Sequence, residues 1–223
     1  MTTGLIGGVG LTLLQVYDQG PGPDGVKAGC AHVHGLTDEA YFGVGGEGAV
    51  ELHDLENGFR SVPISKGTFV QFPPWTLHRS VSHDGLEVLA MMGNQGLAER
   101  GDARIFFGEA ADADPERYDT LKALVAKGAG GALERRDHSA KAYVELMNQW
   151  HNDQPAYQAS LERFFACHRR TIETTPDLAA WLDRVDLEDI SAVRSVGQWS
   201  AGDATQTYGM CGILRQVESL AAG

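Results

Sequence analysis

Apolar and polar positions alternate in short runs over the first half of the chain. The runs 11–17, 41–44, 49–53, 68–72 and 86–92 carry this β-type pattern. Turn residues punctuate them: GPGPDG at 20–25, GGEG at 45–48, ENG at 56–58 and HDG at 83–85. Many short strands at this spacing predict an antiparallel sandwich or barrel.

The periodicity changes near residue 108. Asp114-Pro115 reads as an N-cap followed by proline at the first helical position, opening a helix over 116–127. A second helix is expected over 137–150. A third opens near Asp153 and Pro155, with Leu161, Phe164, Phe165, His168 and Ile172 on one stripe. Thr175-Pro176 opens a fourth, and a last helix is expected over 207–221. The chain therefore divides into a β part, 1–108, and a helical part, 109–223, serving as cap, lid or dimerisation element.

Composition sharpens this division. Twenty of the 28 glycines and five of the eight prolines fall in 1–108, whereas both parts carry a net charge of −6. The shift is structural, not electrostatic. The length of 223 residues and 43% apolar content suffice for a buried core. Eighteen basic against thirty acidic residues, with no basic cluster, argue against nucleic acid as a partner. No run of about 18 apolar residues predicts a membrane span. The apolar segment 5–16 lacks a basic flank and is interrupted by glycines, so a first strand is expected there, not a signal peptide. Cys30, Cys167 and Cys211 are widely spaced and odd in number, which reads as reduced thiols in a cytoplasmic protein.

The segment 28–48, AGCAHVHGLTDEAYFGVGGEG, concentrates the candidate chemistry. On a strand, His32 and His34 share a face about 7 Å apart. Glu39 returns after a turn at Gly35, and His78 follows a proline-rich bend in PPWTLHR, 73–79. Three imidazoles and a carboxylate suit Fe(II), Mn(II), Ni(II), Co(II), Cu(II) or Zn(II), with positions left for substrate. Cys30 and Tyr41 share the parity of these groups; Cys30 is expected as a core residue, and Tyr41 as a hydrogen-bond donor toward the pocket or as core. Gln71 is a candidate for orienting substrate, or an outward strand residue. Val88, Ala90 and Met92 are expected to supply an apolar pocket wall. Arg79 is expected in a surface or barrel–helix ion pair, His53 and His83 in solvent, and His168 in the core. No nucleophile motif of the GxSxG kind competes.

These residues resemble the cupin superfamily. Its first motif, HxH, three or four residues, Glu, six residues, Gly, is matched by His32, His34, Glu39 and Gly46. Its second, PxGxxH, is matched by Pro73 to His78, with Trp75 where the motif has glycine. The resemblance spans roughly 10–108. It implies a mainly β fold, a cupin double-stranded β-barrel (jelly roll) followed by the helical C-terminal region. It also implies that His32, His34, Glu39 and His78 bind one divalent transition metal ion, Fe(II) favoured, with Zn(II), Mn(II) or Ni(II) as alternatives.

The resulting expectation is an Fe(II)-dependent oxygenase acting on a small organic molecule. A non-redox isomerase, cyclase or lyase is the alternative, and a small-molecule binding or sensing module a third. Tyr41 is the candidate catalytic group, and Gln71 and Met92 are candidate substrate contacts. A homodimer is expected by resemblance alone.

Overall fold

The computed structural model describes residues 9–93, 101–176, 178 and 206–216. Nine strands form one antiparallel sheet system. They are β1 (Gly10–Val16), β2 (His32–His34), β3 (Glu39–Asp54), β4 (Gly58–Ser65), β5 (Phe69–Phe72), β6 (Leu77–Met92), β7 (Ala103–Ile105), β8 (Gln206–Tyr208) and β9 (Gly212–Gln216). The main path runs β4-β3-β6-β1-β9-β8, with β5 on β3, and β2 between β6 and β7. This is a double-stranded β-helix followed by a helical region.

The long strands β3 and β6 pair along most of their length and serve both halves of the barrel. GGEG and HDG, expected as turns, lie within these strands. The pairing shifts register between Gly43 and Gly45 and between Glu47 and Gly48, so the pair bends without ending. Gly46 sits at the bend with φ +65°. A Cβ there would overlap the carbonyl oxygens of Asp84 and Gly85, so the position admits only glycine. The ENG segment does turn, with the Asp54 carboxylate accepting from the backbone N–H of Glu56 and Asn57 at 2.9 and 2.6 Å.

Among the described residues four α-helices follow: α1 (Glu109–Asp112), α2 (Pro115–Lys122), α3 (Ala129–Asn152) and α4 (Gln154–Thr174). A 3-10 segment, Ala123–Lys127, continues α2, completing the expected 116–127 stretch. Asp114 caps α2 by accepting from Arg117 N–H, and Asp153 caps α4 by accepting from Ala156 N–H, each at 3.1 Å. The second helix is longer than the expected 137–150. The expected stripe of α4 is buried throughout, from Leu161 to Ile172. The expected fourth helix beyond Thr175-Pro176 falls almost wholly outside the described residues. No helix among the described residues is long and apolar enough to cross a membrane.

The expected helix at 207–221 is corrected. Residues 206–216 form the β8–β9 hairpin, and β9 pairs antiparallel with β1, so the sheet is not confined to 1–108. The alternation Thr207, Tyr208 and Ile213, Leu214 around a Gly-Met-Cys-Gly bend is a strand signal that helical periodicity overrode.

Both faces of β2 are buried, which explains its unbroken burial. Val33 points outward into a cluster with Leu77, Phe106, Tyr143, Leu161 and Phe164, which seats α3 and α4 on the barrel's outer face. The alternation of side chains then directs His32 and His34 inward. A second cluster, including Leu14, Tyr41, Val50, Leu86 and Val88, fills the barrel interior beyond them.

Candidate metal centre

His32, His34, Glu39 and His78 converge, with one potential ligand atom from each lying within 4.8 Å of all the others. All four are at least 94% buried. Register creates the cluster: His32 on β2 is the cross-strand partner of His78 on β6, and Glu39 opens β3 opposite Met92. Ligands at about 2.1 Å from one ion lie about 3–4 Å apart, and Glu39 Oε2 stands 3.6 and 3.0 Å from His34 Nε2 and His78 Nε2.

The outer ring nitrogens fix how the histidines face. His32 Nδ1–H donates to the Cys30 carbonyl at 3.0 Å, and His78 Nδ1–H donates to the Thr76 carbonyl at 2.9 Å. A carbonyl only accepts, so the proton resides on Nδ1 and Nε2 is left as a lone-pair donor. His34 Nδ1 faces a carboxylate instead, at ion-pair distance, 3.5 Å from Asp102 Oδ2. Asp102 is itself held by N–H donation from Gly35 and Leu36 at 2.9 and 2.6 Å and by the Thr37 hydroxyl at 2.7 Å.

Inside the cluster, His78 Nε2 and Glu39 Oε2 lie 3.0 Å apart, and neither has a hydrogen-bond partner of proper geometry. A shared proton or a bound cation satisfies a buried nitrogen and carboxylate oxygen this close. The donor set therefore fits a divalent metal ion. Burial pulls His32 well below the usual histidine range, helped by the adjacent His78 and His34, which keeps it neutral and able to ligate. Burial alone would raise Glu39, but His78 and His34 outweigh it and hold the carboxyl below its usual range.

Trp75 occupies the motif glycine's position and adopts a left-handed conformation that favours glycine, φ +64°. Its N–H donates to the His34 carbonyl at 2.8 Å, tying the bend before His78 to β2. The indole stacks edge-on against Phe165 and near His168 of α4, at 6.1 and 5.6 Å between ring centres. Packing against the helix holds a backbone conformation that a side chain disfavours.

A cavity of about 280 Å³ opens from the cluster. Its wall includes Leu14, Ala90, Met92, Ile105, Leu214 and Cys211, with Tyr118, Lys122 and Arg135 from the helical region. The helices thus cover the barrel's outer face and also wall the cavity. Met92 and Ala90 lie where the parity argument placed them, and Val88 is buried deeper. Gln71 does not reach the cavity: Phe72, opposite Glu39, takes the inward parity, so Gln71 faces solvent and bonds Asp38 at 2.9 Å. Tyr41 is fully buried behind the cluster, its hydroxyl among Glu39, Ser80 and Cys211. It does not line the cavity wall.

His53, expected in solvent, is corrected to fully buried. It bridges the Tyr157 and Tyr143 hydroxyls at 3.0 and 2.7 Å, because β3 there lies under α3 and α4. Arg79 faces away from His78 but is buried, pairing with Asp24 and Glu51 at 2.5 and 2.6 Å under the Tyr143 ring. Cys30 packs with Ile105, Phe107 and Tyr118, and burial pushes its thiol up to about 11. His168 is a core histidine whose Nε2–H donates to the Asp102 carbonyl at 2.6 Å.

Asp102, Arg135, Lys122 and Cys211 were not singled out from sequence. Each lies tens of residues or more from the motif it joins, and no local spacing marks it.

No protein-family model and no curated protein matches the sequence. Solved structures that match include a conserved Klebsiella pneumoniae protein with a double-stranded β-helix domain, at 15% identity, 44% of this chain, 73% of that chain and TM-score 0.32. Another is the capsular polysaccharide assembling protein CapF from Staphylococcus aureus, at 18% identity, 29% of this chain, 19% of that one and TM-score 0.26. A third is WlaRA, a TDP-fucose-3,4-ketoisomerase from Campylobacter jejuni, at 8% identity, 36% of this chain, 57% of that one and TM-score 0.31. The match spans a fifth of CapF and little more than half of WlaRA, so their activities stay with those proteins. The class that fold and site define is a cupin-like double-stranded β-helix with a three-histidine, one-glutamate cluster that could hold a metal ion.

Proposed function

We propose that the protein is a metal-dependent enzyme of the non-redox class, an isomerase, lyase or cyclase, acting on a small organic molecule in the cavity. The observation that carries this reading is the Cys211 thiol on the cavity wall, 3.5 Å from His32 Nε2. Proton movement at carbon or oxygen needs a proton-bearing group beside the ligand cluster, whereas insertion of dioxygen does not. The Fe(II) oxygenase expected from the resemblance has no comparable support, because this ligand set suits several ions.

His32, His34, Glu39 and His78 would hold a divalent ion, which would supply Lewis acidity toward a carbonyl or carboxyl oxygen. The chain's own residues do the rest. Cys30, Thr76 and Asp102 orient the three imidazoles. The apolar wall of Leu14, Ile105 and Leu214 excludes water from the bound molecule. Cys211 holds a proton at the cluster, burial keeping its thiol protonated.

The test is hydrogen exchange. Protein loaded anaerobically with Zn(II), Mn(II), Ni(II) or Fe(II) is incubated in D₂O with a panel of 2-oxo and 2-hydroxy compounds. NMR is expected to show deuterium entering a carbon-bound position without oxygen uptake. Turnover only with iron and stoichiometric oxygen consumption would return the reading to the oxygenase.

A further inference from the structure

Arg135 on α3 is 5% exposed and lies on the wall of the metal cavity. Three other arginines of comparable burial, Arg79, Arg104 and Arg136, each pair with an aspartate. Arg135 has no carboxylate within ion-pair distance among the described residues. One Nη2–H donates to the Gly209 carbonyl at 2.7 Å, and its other polar neighbours are the Tyr17 hydroxyl and the Cys30 thiol. Its Nε–H meets no acceptor. Lys122, in the last turn of α2, adds a second cationic group to the same wall.

A buried guanidinium without a counter-charge among the described residues loses its hydration and regains little of that loss. An apolar pocket with this excess charge discriminates for an anion. The planar fork of a guanidinium matches a carboxylate, whose two oxygens lie in one plane.

We propose that the substrate is a small carboxylic acid whose carboxylate pairs with Arg135 while its apolar body lies against Leu14, Ile105 and Leu214. This names the substrate class of the site above and rests on the metal-enzyme reading for the reacting end of the molecule. Arg135 is a binding residue in this assignment, and Lys122 draws anions toward the mouth.

The test uses the full chain with butanoate, its neutral counterpart butanamide, and inorganic phosphate. Binding is read from the ¹⁵N-resolved Arg135 Nε–H resonance and from the melting temperature. Butanoate is expected to shift that resonance and raise the melting temperature, and butanamide to do neither. R135M is expected to weaken butanoate binding roughly tenfold or more, the loss of a charge-assisted pair. R135K, which keeps the charge and serves if R135M fails to fold, is expected to retain part of it. Equal binding of butanamide, undiminished binding by both variants, no butanoate binding, or phosphate binding in its place overturns the assignment. Metal content is measured on the same samples. Butanoate binding at Arg135 in a chain that takes up no metal upholds the carboxylate site while removing the metal-enzyme reading.

Discussion

Cys211 Sγ lies 3.5 Å from His32 Nε2, although 179 residues separate the two in the chain. The β8–β9 hairpin brings them together. β9 pairs with β1, Cys30 N–H donates to the Met210 carbonyl at 2.8 Å, and the Tyr17 hydroxyl donates to the Gly209 carbonyl at 2.9 Å. A Cβ on Gly29 would overlap the Cys211 backbone, so the approach depends on that glycine. The C-terminal segment thus closes the cavity that the N-terminal motif opens.

Removing residues 206–223 is expected to damage site and barrel together. The edge of β1 loses its partner, and the wall residues Met210, Cys211 and Leu214 disappear. An uncovered edge strand favours association. Size-exclusion chromatography is expected to show oligomers, and titration with Zn(II) weaker uptake than in the full chain.

Asp102→Asn removes charge from the partner of His34 without touching a ligand atom. Metal affinity is expected to fall roughly 10–100-fold, with stoichiometry unchanged at saturation. Competition against a chelator measures this. Unchanged affinity would show that His34 needs no carboxylate to hold its orientation.

Trp75 separates backbone strain from packing. Trp75→Ala loses the contacts to Phe165 and His168 and keeps a side chain at φ +64°. Trp75→Gly loses the same contacts but relieves the backbone. Both are expected to destabilise by about 2–4 kcal/mol, with the glycine variant the more stable by about 1 kcal/mol. Urea unfolding gives the difference, and an alanine variant as stable as the glycine one would contradict it.

Stability is expected to fall as pH drops below about 6.5. Burial pulls His53 down to about 3 and His168 to about 4. Between those values and 6.5 the unfolded chain takes up protons that the folded chain refuses, so acid favours unfolding. Above 6.5 both states are neutral and the effect vanishes. Each histidine contributes a slope of up to roughly 1.4 kcal/mol per pH unit. Denaturant unfolding from pH 7 to 4.5 measures the total, and His53→Gln is expected to flatten it by one histidine's share.

The β part and the ligand cluster were legible because they depend on local relations. His32-Val33-His34 needs only strand alternation to put two imidazoles on one face and a valine on the other. Asp114-Pro115 and Asp153-Pro155 announce helix starts through caps that act within three residues. The GGEG and HDG segments misled because glycine serves a bulge inside a bent strand as readily as a turn. Only the opposing carbonyls of Asp84 and Gly85 distinguish the two at Gly46.

His53 shows the other limit. Its position beside a turn predicted solvent, yet α3 and α4, some 90 and 104 residues away, bury it between two tyrosines. Asp102, Arg135 and Cys211 are of the same kind. Alternation and capping are properties of a few neighbouring residues, so the chain carries them openly. Which carboxylate backs His34, which cation is left unpaired in the cavity, and which thiol meets His32 depend on how distant segments pack, and packing is settled only when strands and helices share one interior.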